Sequence, residues 1–225
     1  MPAPAPSFGE LVALVERALV CFGIDGAEAR GDETVATQLA RWAELVSVWN
    51  RRIDLTAARS AEELVDLLVA DAAWMARAHA PPERKERERW IDVGSGAGAP
   101  GLALALLRPD IAMTLVEPRA KRVAFLRTVI ATLGRTDVRI ERARSEDLAD
   151  ASCDVAVSRA TLAPEIWVRE GARLAQRFVW VLLAQGEVPP APERAQLDRD
   201  ERYVWPLTGA ARRAVRYRLE PTATG

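Results

Sequence analysis

Several things are scarce in these 225 residues. Lysine occurs only at positions 85 and 121 among 31 basic residues, so nearly all positive charge is arginine. Histidine occurs once, at His79, and the sequence offers no Ser/His/Asp or metal-ligand cluster. Two cysteines, Cys21 and Cys153, are too few for a disulfide framework, and a reducing, cytoplasmic setting is expected. Apolar runs are short, which excludes a membrane-spanning helix. The opening Met1-Pro-Ala-Pro-Ala-Pro has no charged-then-apolar layout, so no signal peptide is expected. Net charge is also missing: 31 Lys+Arg against 32 Asp+Glu leaves -1. That excludes nucleic-acid binding by bulk electrostatics but not by a local basic face.

What is present suits a packed globular chain, 49% apolar and 28% charged. Phe8, Leu11, Val12, Val15 and Leu19 share a helical face behind Ser7, which is expected to cap the helix with Glu10 three residues on. A second helix is expected from about Asp32, carrying Val35, Leu39, Trp42, Val46 and Trp49. A third runs from Ser60 to about His79, stopped by Pro81-Pro82. The alternating charges from Glu83 to Arg89 read as a solvated connector.

Beyond it, strands and helices alternate. Strands are predicted at Trp90–Val93, Ala112–Glu117, Asp137–Ile140, Asp154–Val157 and Phe178–Leu183, with weaker candidates at Tyr203–Trp205 and Ala214–Arg218. Helices are predicted at Leu102–Leu107, over Val123–Leu133 and at about Ala163–Ala175. This alternation implies right-handed crossovers and a parallel sheet covered on both faces. The boundaries expected are a helical extension over 1–82 and an α/β domain of seven strands over 83–225.

The sharpest motif is Asp92-Val-Gly94-Ser-Gly96-Ala-Gly98-Ala99-Pro-Gly101, between the first strand of that domain and its first helix. Glycines there permit a tight turn and close approach of a ligand to the backbone, at the carboxyl ends of the strands. Gly94-x-Gly96-x-x-Ala99 fits a dinucleotide fingerprint. An acid, one spacer and three alternate glycines (Asp92, Gly94, Gly96, Gly98) fit S-adenosylmethionine. That cofactor carries an ammonium and a sulfonium but no phosphate, so a nearby carboxylate suits it better than it suits a pyrophosphate. Glu117, 19 residues past Gly98 at a strand end, can accept from ribose hydroxyls in either case. Ser145-Glu146 follows the third strand, where a loop would flank an adenine.

Together these segments resemble the bacterial 16S ribosomal RNA guanine-N7 methyltransferase family RsmG, or GidB. The resemblance runs through Trp49-Asn50-Arg-Arg-Ile-Asp54-Leu55-Thr56, the glycine loop, Lys121-Arg122-Val-Ala-Phe125-Leu126, Arg144-Ser145-Glu146 and Ser158-Arg159-Ala160. It implies a class I methyltransferase: an α/β, Rossmann-like, seven-stranded sheet with an N-terminal helical extension. It implies S-adenosylmethionine contacts at Gly94, Ala99, Ser145, Glu146 and Arg159, with Arg159 also serving the reaction. The substrate implied is N7 of a guanine in 16S rRNA of the small ribosomal subunit, and we expect a cytoplasmic monomer with no membrane partner. Phosphates could be met by Arg51, Arg52, Arg119, Lys121 and Arg122, and by Arg212, Arg213, Arg216 and Arg218. Guanine N7 offers a free lone pair, so no general base is required, which fits the scarcity of histidine.

Three departures bear on the substrate. Asp66-Leu67-Leu68 stands where the family usually has an Arg-His pair, Ala184-Gln185-Gly186 replaces Leu-Lys-Gly, and Asp54 replaces an Asn. Two lost cations leave room for a related methyltransferase acting on a small molecule or protein, or a catalytically silent RNA-binding assembly protein.

Overall fold

A computed structural model describes residues 6–30, 32–80 and 86–221. Helix α1 (Phe8–Cys21) starts where Ser7 Oγ accepts the Glu10 N–H at 3.2 Å. A two-residue pair, β1 (Ala29–Arg30) with β2 (Glu33–Thr34), precedes α2 (Val35–Trp49). The second helix therefore begins at Val35 rather than near Asp32, because Thr34 Oγ1 caps Thr37 N–H and the residues before it pair as strand. Ser60 caps α3 (Ala61–Val65), which continues through a π-helical turn (Asp66–Ala70) into α4 (Asp71–Ala78). The expected stop at Pro81-Pro82 and the start of the charge run lie outside the described residues. The end of that run is not a solvated connector: Glu88 is buried in a strand, Arg87 pairs with Asp137 and Arg89 with Asp154.

The α/β half contains β3 (Glu88–Val93), α5 (Gly101–Leu107), β4 (Ile111–Val116), α6 (Ala120–Thr132), β5 (Arg139–Glu141) and β6 (Cys153–Arg159). After these come α7 (Pro164–Leu174), β7 (Ala175–Leu183), β8 (Ala195–Val204) and β9 (Ala211–Leu219). The seven-stranded sheet has the order β5-β4-β3-β6-β7-β9-β8. The first five strands in sequence are parallel, as expected, but β9 pairs antiparallel with both β7 and β8. A short turn after β8 carries Trp205 N–H to Ala210 O, and such a turn can join only antiparallel neighbours.

Alternation along the strands sends Trp90, Met113, Leu115, Val155, Val157 and Trp180 to one face, where α1 to α6 pack. Ile91, Val93, Ala156, Val179 and Val181 face α7. The N-terminal helices thus share a core with the sheet. The chain reverses direction of winding at β3, with β4 on one side and β6 on the other, and such a switch point opens a crevice at the strands' carboxyl ends.

Candidate functional site

Three loops meet at that crevice: 94–101 after β3, 117–119 after β4 and 159–161 after β6. With Leu55, Thr56, Ala57 and Leu67 from the helical half, they line a cleft of about 440 Å³. Gly94, Gly96 and Gly98 have φ of 75°, 58° and 105°, in the left-handed region that L side chains disfavour. Gly101 starts α5 so close to the sheet that a Cβ would lie 2.6 Å from Leu115 Cδ2 and 2.7 Å from Asp92 Cβ.

The loop is braced from four directions. Asp92 Oδ2 accepts the Gly101 N–H at 2.9 Å, fastening the start of α5 to the end of β3. Glu117 Oε2 accepts Gly96 N–H at 3.0 Å, and its Oε1 accepts Arg119 N–H at 2.8 Å. Trp42 of α2 donates its indole N–H to Ala97 O at 2.9 Å. Ser158 Oγ donates to Val93 O at 2.8 Å, locking β6 to β3 where both enter the cleft. Ala160 then adopts φ 55° and returns Thr161 over Gly94.

Of the residues expected to hold a cofactor, Gly94, Gly96, Ala99, Glu117 and Arg159 line the cleft. Glu117 is buried yet uses one acceptor site per oxygen on the backbone, which leaves lone pairs available. Asp92 and Gly98 are not in the lining. Asp92 is 1% exposed, and burial pushes its carboxyl up to about 6 against the opposing pull of the Gly101 N–H and Arg159. Gly98 packs instead against Trp42, Leu102 and Leu126. Ser145 and Glu146 line a neighbouring hollow with Leu162, Ile166 and Arg169. Arg173 supports that loop by donating to Ser145 O at 2.8 Å.

Arg159 reaches across the cleft into the helical half, donating through Nη1 to Leu67 O at 2.7 Å and to Asp71 Oδ2 at 2.8 Å. Asn50 organises the opposite rim: its Oδ1 accepts the Leu55 and Thr56 N–H groups and its Nδ2 donates to Thr56 O. Arg122 ties α6 to this rim by donating to Asp54 O at 2.7 Å and stands 4.0 Å from Glu117. The expected basic face is therefore uneven. Arg51, Arg52, Arg119 and Lys121 are exposed with no carboxylate partner among the described residues, whereas Arg122 is committed to the fold. The C-terminal arginines are committed as well. Arg213 pairs with Asp200, Arg216 and Arg218 pair with Asp198, and Arg212 lies 3.5 Å above the Trp205 ring. Asp198 and Asp200 offset part of that charge, and each of the four guanidinium groups already has a contact within the fold.

Sequence reasoning missed Asp71, Trp42 and Thr161. Trp42 reads as one more apolar helix position, and nothing in its spacing indicates where its N–H points. Asp66 replaces an expected cation with a buried acid that accepts from Leu207 N–H, Thr208 N–H and Thr208 Oγ. Burial raises its carboxyl pKa. His79 ends α4 packed among Trp90, Phe178 and Trp180, with Nε2 2.9 Å from Glu88, and burial lowers its pKa. It lies away from the cleft lining. Among the described residues no group of His, Cys, Asp and Glu could hold a metal ion, and no helix is long and apolar enough to cross a membrane.

A family model described as GidB, rRNA small subunit methyltransferase G, matches residues 35–189. A ribosomal RNA small subunit methyltransferase G of Neisseria meningitidis (serogroup C, strain FAM18) is 30% identical over 188 residues, covering 81% of this chain and 88% of the relative. The protein of the same name from Methylibium petroleiphilum is 37% identical over 172 residues, covering 73% and 76%. Among solved structures, a SAM-dependent methyltransferase from Aquifex aeolicus superposes with a TM-score of 0.51 at 16% identity, covering 69% of this chain and 92% of that one. At that identity it supports the fold alone.

Proposed function

The chain belongs to the GidB family of rRNA small subunit methyltransferases G, and from that premise we propose that it methylates N7 of a guanine in 16S rRNA of the small ribosomal subunit. The observation that carries the proposal is the family match across 35–189, a span that includes every cleft-forming loop. S-adenosylmethionine, when bound, supplies an electrophilic methyl group on sulfur.

The residues fit that group. The turn at Gly94–Gly98 offers backbone without side chains, and the cleft contains a carboxylate, Glu117, with acceptor sites to spare. We assign Glu117 to the ribose hydroxyls, Gly94, Gly96 and Ala99 to the cradle, and Ser145 and Glu146 to the base-flanking loop. Asp92 and Gly98 act at one remove, by fixing the loop's shape. Arg159 seats the reacting groups. The acceptor nitrogen already carries its lone pair, so the chain needs to hold donor and acceptor in line rather than move a proton. The target base has to be unstacked to be reached. We assign the exposed Arg51, Arg52, Arg119 and Lys121 to backbone phosphates, with Arg122 behind them holding the Asp54 carbonyl. In this proposal residues 1–82 form the helical extension and 83–225 the methyltransferase domain. The protein works as a cytoplasmic monomer.

The test is transfer of label from S-adenosylmethionine to small subunits purified without the modification. Label in 16S rRNA as N7-methylguanine supports the proposal. Label only in a small molecule or a protein overturns it.

A further inference from the structure

Arg159 has a fixed partner in the helical half, and that partner is itself held from the far edge of the sheet. Nη1 of Arg159 takes both the Leu67 carbonyl and Asp71 Oδ2. Its Nε and Nη2 hydrogens have no protein acceptor among the described residues, and Arg159 lines the cleft. Asp71 is 2% exposed. Its second oxygen, Oδ1, accepts the Tyr203 hydroxyl at 2.6 Å and the Trp205 indole N–H at 2.6 Å. Tyr203 belongs to β8 and Trp205 to the turn that follows it. Leu67 lies within the π-helical turn and Asp71 directly follows it, a distortion that recurs at functional positions in helices.

The geometry restrains the carboxylate. Rotating the Asp71 carboxylate away from Arg159 would break two short bonds, to the half-buried Tyr203 hydroxyl and the buried Trp205 indole. With one nitrogen of the guanidinium pinned and its plane rigid, the remaining donors are held at the cleft. We propose that Asp71 is a positioning residue for Arg159 and that Tyr203 and Trp205 hold Asp71, so that the C-terminal hairpin sets where the guanidinium stands in the methyl-transfer site. The proposal rests on the assignment of Arg159 to the reacting groups.

Loss of stability alone would not distinguish positioning from a buried ion pair, because removing either partner of such a pair is destabilising. A double-mutant cycle does distinguish them. Arg159→Ala, Asp71→Asn, Tyr203→Phe and the two double variants that combine Arg159→Ala with each of the others are made in the full chain. They are compared for S-adenosylmethionine affinity by calorimetry and for kcat/KM on unmodified small subunits. Misplacing an aligned group by about 1 Å can lower rate by ~10²-fold, which sets the upper bound for Asp71→Asn. Tyr203→Phe, which keeps every charge, is expected to give a smaller loss, of roughly two- to tenfold. In the Arg159→Ala background both substitutions are expected to have no further effect on affinity or kcat/KM. Losses that add in that background overturn the proposal, as does wild-type affinity and kcat/KM in a folded Asp71→Asn. If Asp71→Asn does not fold, Tyr203→Phe carries the same test. An Arg159→Ala variant with unchanged affinity and turnover overturns the assignment of Arg159 itself, and the proposal with it. Calorimetry needs no RNA, so it reports on the network even if the substrate assignment fails.

Discussion

Replacing Asp92 by asparagine separates a brace from a ligand. The Asp92 side chain is buried, accepts the Gly101 N–H at 2.9 Å, and has a carboxyl pushed up to about 6 from 3.8. A folded-state value above the unfolded one means that the folded protein takes up this proton first. The associated stability is present in full below about pH 4 and is lost as pH rises through about 6. At ~1.4 kcal/mol per pH unit, the gap amounts to ~3 kcal/mol between pH 4 and pH 8. Asparagine keeps an oxygen for Gly101 and buries no charge, so its stability lacks this dependence. Its amide hydrogens, left without an acceptor, cost about 1–3 kcal/mol at every pH, which offsets the curve without changing its slope. For a chain of this length 1 kcal/mol moves Tm by roughly 2–4 °C. Thermal unfolding of both proteins from pH 4 to 8 should therefore show the variant gaining roughly 6–12 °C on the wild type as pH rises. Parallel curves would refute the burial argument. S-adenosylmethionine affinity gives the second reading. A brace whose acceptor survives leaves affinity within a few-fold, whereas loss of a direct charge partner worth ~1.5–3 kcal/mol lowers it about tenfold or more.

Further expectations concern the rest of the loop. In Gly94→Ala the new Cβ would stand 2.1 Å from Thr161 Oγ1 at φ 75°, so cofactor affinity should fall about tenfold or more, with partial recovery in Gly94→Ala/Thr161→Gly; calorimetry decides. Trp42→Phe deletes the donor to Ala97 O and should cost about 1–3 kcal/mol in denaturant unfolding, with a weaker cofactor. Trp49→Phe, whose ring meets Phe125 rather than the loop, should lower stability without altering affinity. Glu117→Gln has one oxygen for the Gly96 and Arg119 N–H groups in place of two and should lose about tenfold in affinity without a comparable fall in Tm.

The parts of this molecule legible in its sequence are those set by local periodicity and by backbone chemistry. Alternation and helical spacing give the parallel strands and their helices to within a few residues, because each element buries one side of itself. The glycine loop is legible because left-handed turns and the close approach at Gly101 tolerate little else. Partnerships across the fold are not. The antiparallel β8 and β9 carry alternating charges that look like surface, and the pairing of Asp198 and Asp200 with arginines on the next strand requires the register to be known. Asp71 has no sequence signal at all. It is one more acid on a helix until Arg159, Tyr203 and Trp205, 88 to 134 positions away, converge on it. The role first expected of Asp92, beside the cofactor, follows from motif chemistry. Its placement behind the loop follows from packing, which spacing does not encode.

The central claim is tested most directly in cells. N7-methylguanine is mapped along 16S rRNA from a strain with the gene, one without it, and one complemented with the Glu117→Gln variant. One guanine is expected to carry the methyl group in the first strain, lack it in the second and regain it poorly in the third. Identical N7-methylation of 16S rRNA with and without the gene would contradict it.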